Sequence, residues 1–169
     1  MTVVVSELCP VYSTFFGYIG AAVSIGLANL GSCYGIAKAG VGMLVMGVTH
    51  PQLVMKASLP TILAGVLGLY GLIVSLVITL GLKNVYPLPV AFAHLSSGIS
   101  VGLSCLAAGI AIGITGDAGV RAFGRQQKVF VAMMLVLIFA EALAIYGVIV
   151  SLILSLKGGN ATCATEAQQ

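Results

Sequence analysis

Four long apolar runs, separated by the few charges the chain possesses, limit this sequence more than any other feature. No Asp, Glu, Lys, Arg or His occurs between Leu8 and Ala37, and the apolar character continues to Val48. Thr49-His50-Pro51 interrupts it, because a residue before proline is pushed out of the helical region. The second run extends from Ala57 to Leu82 and stops at Lys83-Asn84. The third starts after Pro87-Leu88-Pro89 and stops at Gly116-Asp117, and the fourth extends from Val129 to Leu156, before Lys157-Gly158-Gly159. A spanning helix needs roughly 20 apolar residues, so each run is long enough. Hydrocarbon offers no partner for backbone N–H and C=O groups, which leaves helices or a closed barrel. A barrel would need short segments of alternating polarity, and none is present. The predicted fold is an all-α membrane protein with four transmembrane helices.

Composition closes the alternatives. Of 169 residues, 60% are hydrophobic and 7% charged, against about a quarter charged in a soluble domain. Disorder requires too little apolar surface to form a core, the reverse of this case. The net charge of +3, with no basic run, excludes a nucleic-acid partner. Met1 to Pro10 holds no Lys or Arg, so a cleavable signal peptide is not expected. Cys9, Cys33, Cys105 and Cys163 have no metal-ligand spacing. Cys33 and Cys105 are expected to behave as small hydrophobes, and Cys9 and Cys163 are expected to remain unbridged. His50 and His94 lack a metal partner at i+3 or i+4 and are expected to be structural or interfacial. No phosphate-binding loop, nucleophile–base pair or metal cluster is present, so no cofactor is predicted.

Orientation follows from the Lys/Arg distribution. Lys38 and Lys56 flank the first connection, and Arg121, Arg125 and Lys128 the third, against Lys83 and Lys157 on the opposite side. Five against two places both hairpin loops in the cytosol and both termini on the lumenal or external side. The sequon Asn160-Ala161-Thr162 then faces a compartment where glycosylation occurs, but it lies only four residues past the last run and is expected to be unused.

An internal repeat divides the chain. Leu69-Tyr70-Gly71-Leu72-Ile73-Val74-Ser75-Leu76 recurs as Ile145-Tyr146-Gly147-Val148-Ile149-Val150-Ser151-Leu152 at an offset of 76, and Ala39-Gly40-Val41 recurs as Ala118-Gly119-Val120 at an offset of 79. The expected units are a first helical hairpin over 12–82, a second over 87–156 and a short lumenal tail over 157–169. Each hairpin contains an even number of spans, so the two copies share one orientation and are related by rotation about the membrane normal. Further chains can continue that rotation and close a ring.

Small residues line one face of the first span at Gly17, Ala21, Ser24, Ala28, Gly31 and Gly35, and one face of the third at Gly98, Gly102, Cys105, Gly109, Gly113 and Gly116. Glycine costs about 1 kcal/mol relative to alanine inside a helix, so this concentration needs a compensating gain. In lipid that gain is close backbone approach. The first and third spans are therefore expected to form a tightly packed inner layer of the ring, with Gly17, Gly31, Gly35, Gly98, Gly102, Gly109 and Gly113 as its packing residues. The Leu-, Ile- and Val-rich second and fourth spans form the outer layer.

One acid lies within the membrane. Glu141 is thirteenth of the 28 residues in the last run, about 18 Å from its start at 1.5 Å per residue. A carboxylate there costs at least a few kcal/mol, and no Lys or Arg in any span can neutralise it. The neutral acid is the expected form facing lipid, and any compensating cation must come from another polypeptide. At the offset of 76, Glu141 aligns with Gly65, so each four-helix chain carries one exchangeable proton. Tyr70 and Tyr146 each stand five residues beyond these positions. Tyr70 either donates a hydrogen bond to the carboxyl or serves as an interface-packing aromatic.

Phe15-Phe16-Gly17, Tyr34 to Lys38, Met55-Lys56 with Pro60, Tyr70-Gly71-Leu72, Leu95 to Gly98, Ser100 to Ser104, Ala111 to Arg121 and Ile138-Phe139-Ala140-Glu141 form a distinctive set. Together they resemble the ring proteolipid, or c-subunit, of the vacuolar-type proton ATPase, over about Phe15 to Leu156. The resemblance implies a rotor ring of identical or closely related copies in a vacuolar, endomembrane or plasma-membrane pump. It implies Glu141 as the proton carrier, deprotonated beside an arginine of a static membrane subunit. It also implies cytosolic loops that meet a central-stalk subunit, and a chain that binds no nucleotide itself. Sodium-pumping relatives carry Thr-Gln where this chain has Val66-Leu67; losing those oxygens disfavours a hard cation. Asn29 and Cys33 replace small apolar residues of the family, and Asn29 sets a polar amide on the first span. Two other roles fit the same pattern: a single-copy isoform of the ring, and a channel- or junction-forming structural proteolipid.

Overall fold

The computed structural model describes residues 9–10, 12–82 and 87–158. Five α-helices follow in order: α1 (Ser13–Thr49), α2 (Val54–Ala57), α3 (Leu59–Gly81), α4 (Leu88–Arg125) and α5 (Phe130–Gly158). Single 3-10 turns, Pro51–Leu53 and Gln127–Val129, lead into α2 and α5. With these lead-in turns counted, four helical segments are long and apolar enough to cross a membrane. His50, the residue before Pro51, leaves helical geometry at φ −137° and ψ 76°, which ends α1 where the sequence predicts. Proline opens α3 and α4 within their first two positions, where its missing N–H is no loss.

The third span differs from expectation at its end. Gly116-Asp117 marks the end of the apolar run, but α4 continues to Arg125. Asp117 sits inside the helix, where its carboxylate accepts a hydrogen bond from Nε of Arg121 at 2.7 Å. Hydropathy reports where a helix leaves hydrocarbon, not where its hydrogen bonds stop. At 37 and 38 residues, α1 and α4 are each about 55 Å long and project well beyond a ~30 Å hydrocarbon layer.

The helices form two layers. α1 packs against α4, α3 lies on α1 and also touches α4, and α5 lies on α4 and touches α3. The α1–α4 seam depends on missing side chains. A Cβ added to Gly20 would stand 2.6 Å from the His94 carbonyl oxygen, and one added to Gly31 would stand 2.6 Å from Cα of Leu106. Gly98 abuts the Gly20 backbone, Gly109 that of Gly31, and Gly113 comes within 3.1 Å of Cα of Gly35 by the same construction. Gly102 lies against Leu27 and the Val23 carbonyl, and Gly17 is buried. The sequence stripe omits Gly20, although this glycine makes one of the closest approaches.

Both hairpins are built alike. Gly71 of α3 lies over Ala28 and Ser24 of α1, and Gly147 of α5 lies over Ser104 and Ser100 of α4. All three residues of the first set sit 76 positions before their counterparts, so the repeat extends to side-chain contacts. Hydroxyls bind the layers together. Ser24 donates to the Gly71 carbonyl at 3.0 Å, and Ser97 donates to the Ser151 carbonyl at 2.8 Å with the two hydroxyls 2.7 Å apart. Outside, Leu69, Leu72, Ile73, Leu76 and Leu80 on α3 and Leu135, Val136, Ile138, Phe139 and Leu143 on α5 are exposed. An apolar surface of this extent suits lipid or further helices rather than water.

Cys33 and Cys105 are free thiols, whereas Cys9 is disulfide-bonded. This corrects the expectation that Cys9 stays unbridged. The remaining cysteine, Cys163, lies outside the described residues, as do the sequon at Asn160, Lys83 and the tail beyond Gly158. His94 is buried, its ring beside Gly81 and its backbone against Gly20. His50 is exposed at the end of α1.

Candidate functional site

α5 carries Glu141 into the packed interior, where the residue is 9% exposed. Both carboxyl oxygens are buried and have no hydrogen-bond partner among the described residues. A buried carboxyl normally has its oxygens satisfied; among the described residues only the Thr61 hydroxyl is left in the same position. Two neighbours come from other helices. Tyr70, on α3, brings its phenol within electrostatic reach of the carboxyl without completing a hydrogen bond in the geometric sense. Cys105, on α4 and wholly buried, lies within the same reach of both groups. The site therefore spans both hairpins: the first supplies the phenol, and the second supplies the acid and the thiol.

Other candidates fall elsewhere. Tyr146 is 61% exposed and points out of the protomer. Gly65 is half-buried on α3, and a Cβ there would meet only Cδ1 of Ile36, at 3.9 Å. Gly31, Gly35, Gly98, Gly102, Gly109 and Gly113 serve the α1–α4 seam within the chain. Leu67, one of the positions where sodium-pumping relatives hold oxygen ligands, is fully buried and apolar.

The sequence reads Cys105 as a small hydrophobe, which its full burial bears out, but that assignment misses that it lies within electrostatic range of the acid. The signal was present in the spacing, since Cys105 interrupts a run of glycines on the face that closes the inner layer. Among the described residues, no group of three or more His, Cys, Asp or Glu is placed to hold a metal ion. A single acid flanked by a phenol and a thiol can bind and release a proton, and it offers too few oxygens for a hard cation.

The family model for the C-subunit of ATP synthase matches the chain twice, over residues 19–78 and 95–154. The chain belongs to that family. Its two matched stretches bracket the two hairpins, and Glu141 falls in the second. Among curated relatives, the V-type proton ATPase 16 kDa proteolipid subunit of Chrysotila carterae is 55% identical over 158 residues, covering 90% of this chain and 96% of the relative. The V-type proton ATPase proteolipid subunit of Dictyostelium discoideum is 50% identical, covering 90% of this chain and 79% of the relative. The V-type proton ATPase 16 kDa proteolipid subunit of Entamoeba dispar is 49% identical, covering 96% and 93%. Within its family, the chain is thus a proteolipid of the V-type proton ATPase kind.

Proposed function

We propose that this chain is one of several copies in the membrane rotor ring of a V-type proton ATPase, with Glu141 as the proton carrier. The observation that carries the reading is the Glu141 carboxyl, buried on a membrane-crossing helix with both oxygens unpartnered among the described residues. Intramembrane acids are functional unless shown otherwise, and this one has no internal counter-charge to fix it. A neutral acid crosses the lipid-facing arc of a turning ring at little cost, whereas the anion does not. Deprotonation then requires an external cation, for which an arginine of a static membrane subunit is the fitting partner. Moving each proton against 100 mV requires about 2.3 kcal/mol, which rotation driven by ATP hydrolysis in another sector supplies. The chain itself binds no nucleotide in this reading.

The hairpin loops, with Lys38, Lys56, Arg121, Arg125 and Lys128, face the cytosol and the central stalk, and both termini are lumenal. Leu67 and Val66 in place of oxygen-bearing side chains support protons over sodium. The test is Glu141→Gln in the assembled pump. ATP-driven acidification is expected to vanish while ring assembly and ATP binding by the other sector persist. Acidification at the wild-type rate would refute the assignment.

A further inference from the structure

Asn29 and Tyr146 are two exposed polar side chains near mid-span with no hydrogen-bond partner among the described residues. Asn29 is exposed on the flank of α1 beside α3, with its Oδ1 2.8 Å from where a Cβ on Gly68 would stand. It makes no hydrogen bond among the described residues, and neither does the 61% exposed Tyr146. An unpartnered amide or phenol facing hydrocarbon is costly, so both require a partner outside the chain.

The duplication identifies that partner. Contacts repeat at an offset of 76: Ser24, Ala28 and Gly71 in the first hairpin correspond to Ser100, Ser104 and Gly147 in the second. The same offset pairs Asn29 with Cys105, Gly65 with Glu141, and Tyr70 with Tyr146. Within the chain, Tyr70 of the first hairpin packs against the core and lies within electrostatic reach of Cys105 and Glu141 of the second. In a ring, the second hairpin of one copy meets the first hairpin of the next across an equivalent seam. Tyr146 then faces Asn29 and Gly65 of the neighbour. Gly65 leaves that place open, since a Cβ there meets only one atom within 4 Å, Cδ1 of Ile36 at 3.9 Å.

We infer that the Tyr146 hydroxyl of one copy donates a hydrogen bond to the side-chain carbonyl of Asn29 in the next, above the recess at Gly65. This makes every copy–copy contact an acid-free counterpart of the Glu141 site. The inference rests on the ring reading above. An amide there accepts a hydrogen bond from the phenol without either group ionising, so the seam is held by a neutral bond and carries no exchangeable proton. The two seams of the ring thereby acquire different chemistry from one ancestral geometry: an exchangeable acid inside each chain, and a fixed polar clasp between chains.

The test uses the complete pump in its membrane, in a Cys33→Ala background. Asn29→Cys combined with Tyr146→Cys, treated with a short bis-methanethiosulfonate reagent, is expected to give a ladder of covalent dimers and higher multimers of this chain. Leu30→Cys with Tyr146→Cys is the control, because Leu30 is also exposed but points about 100° away around the helix. Each single cysteine should give monomer. Separately, Asn29→Leu and Tyr146→Phe should each lower the detergent resistance of the ring, and the double variant should lower it no further than either alone. Native mass measurement establishes whether rings form. Intact rings with no cross-link above the Leu30 control would overturn the clasp and leave the ring reading standing. Additive losses would overturn the hydrogen bond. An absence of multimers in the unmodified protein would overturn both readings.

Discussion

Gly31 and Gly26 occupy the same helix, five residues apart, and the packing predicts opposite responses to one added methyl group. At Gly31 the new Cβ would fall 2.6 Å from Cα of Leu106, with the Cys105 carbonyl crowding it as well. These are backbone atoms of α4 and cannot swing aside as a flexible side chain would. Restoring ordinary contact, near 3.4 Å or beyond, requires α1 and α4 to separate by about 1 Å along a seam that Gly20, Gly35, Gly98, Gly102, Gly109 and Gly113 also hold closed. Overpacking of this kind costs roughly 1–3 kcal/mol, offset by about 1 kcal/mol from the better helix propensity of alanine. Gly31→Ala is therefore expected to destabilise by up to about 2 kcal/mol in net terms. At Gly26 nothing lies within 4 Å of the added Cβ, so only the propensity gain of up to about 1 kcal/mol remains. Denaturant titration of the purified protein in one detergent, followed by circular dichroism, should separate the two variants by about 1–3 kcal/mol, the overpacking cost alone, because the propensity gain is common to both. Equal responses, or a stabilised Gly31→Ala, would show that the seam is loose and that glycine is there for another reason.

Three other expectations use the same contacts. Ser97→Ala removes the hydroxyl that donates to the Ser151 carbonyl and meets the Ser151 hydroxyl; the loss should be about 0.6–1.5 kcal/mol by the same titration, in line with interhelical hydrogen bonds in membranes. Tyr70→Phe should alter the rate at which a carbodiimide modifies Glu141, because Tyr70 reaches the carboxyl, whereas Tyr146→Phe should leave that rate unchanged. Identical labelling in wild type and Tyr70→Phe would remove Tyr70 from the site. Arg121→Gln breaks an i,i+4 ion pair whose partners are 50% and 28% exposed, so stability should fall by only about 0.3–0.5 kcal/mol, less at high salt; a loss of several kcal/mol would mean that the pair is shielded from solvent in the assembly.

How much of this was legible in the residues depends on the distance over which each feature acts. The four spans, their order and the duplication follow from hydropathy and from one recurring octapeptide, both local properties. The pairing of the inner helices followed from spacing, because glycine at 4-and-3 intervals has a cost that only close approach offsets. Gly20 escaped because its partner is the backbone at His94, which no periodicity in α1 reports. The extension of α4 through Asp117 escaped because charge marks the membrane boundary and says little about where helical hydrogen bonding stops. Cys9 escaped because a disulfide depends on which cysteines folding brings together, which neither spacing nor hydropathy reports. Cys105 beside Glu141 is the most instructive omission. The sequence places both on helices of one hairpin, but only the packing of α5 on α4 brings the thiol within electrostatic range of the acid.

The asymmetry between the hairpins has an energetic meaning under the proposed function. Both copies carry the tyrosine, the serine-lined glycine contact and the small-residue inner face, so the two hairpins share the seam geometry while only the second carries the acid. Replacing every second carboxyl by Gly65 leaves the number of hairpins around a ring unchanged and halves the protons carried per turn. For a fixed free energy of ATP hydrolysis per turn, each proton then receives twice the driving energy. At about 2.3 kcal/mol per 100 mV, that doubling raises the opposing gradient at which the ring stalls, at the expense of flux. The loss of one acid in two thus selects for steep gradients over fast transport. It also explains why the idle seam must stay neutral: a second ionisable group at Gly65 would add a carrier and return the ring to a shallower limit.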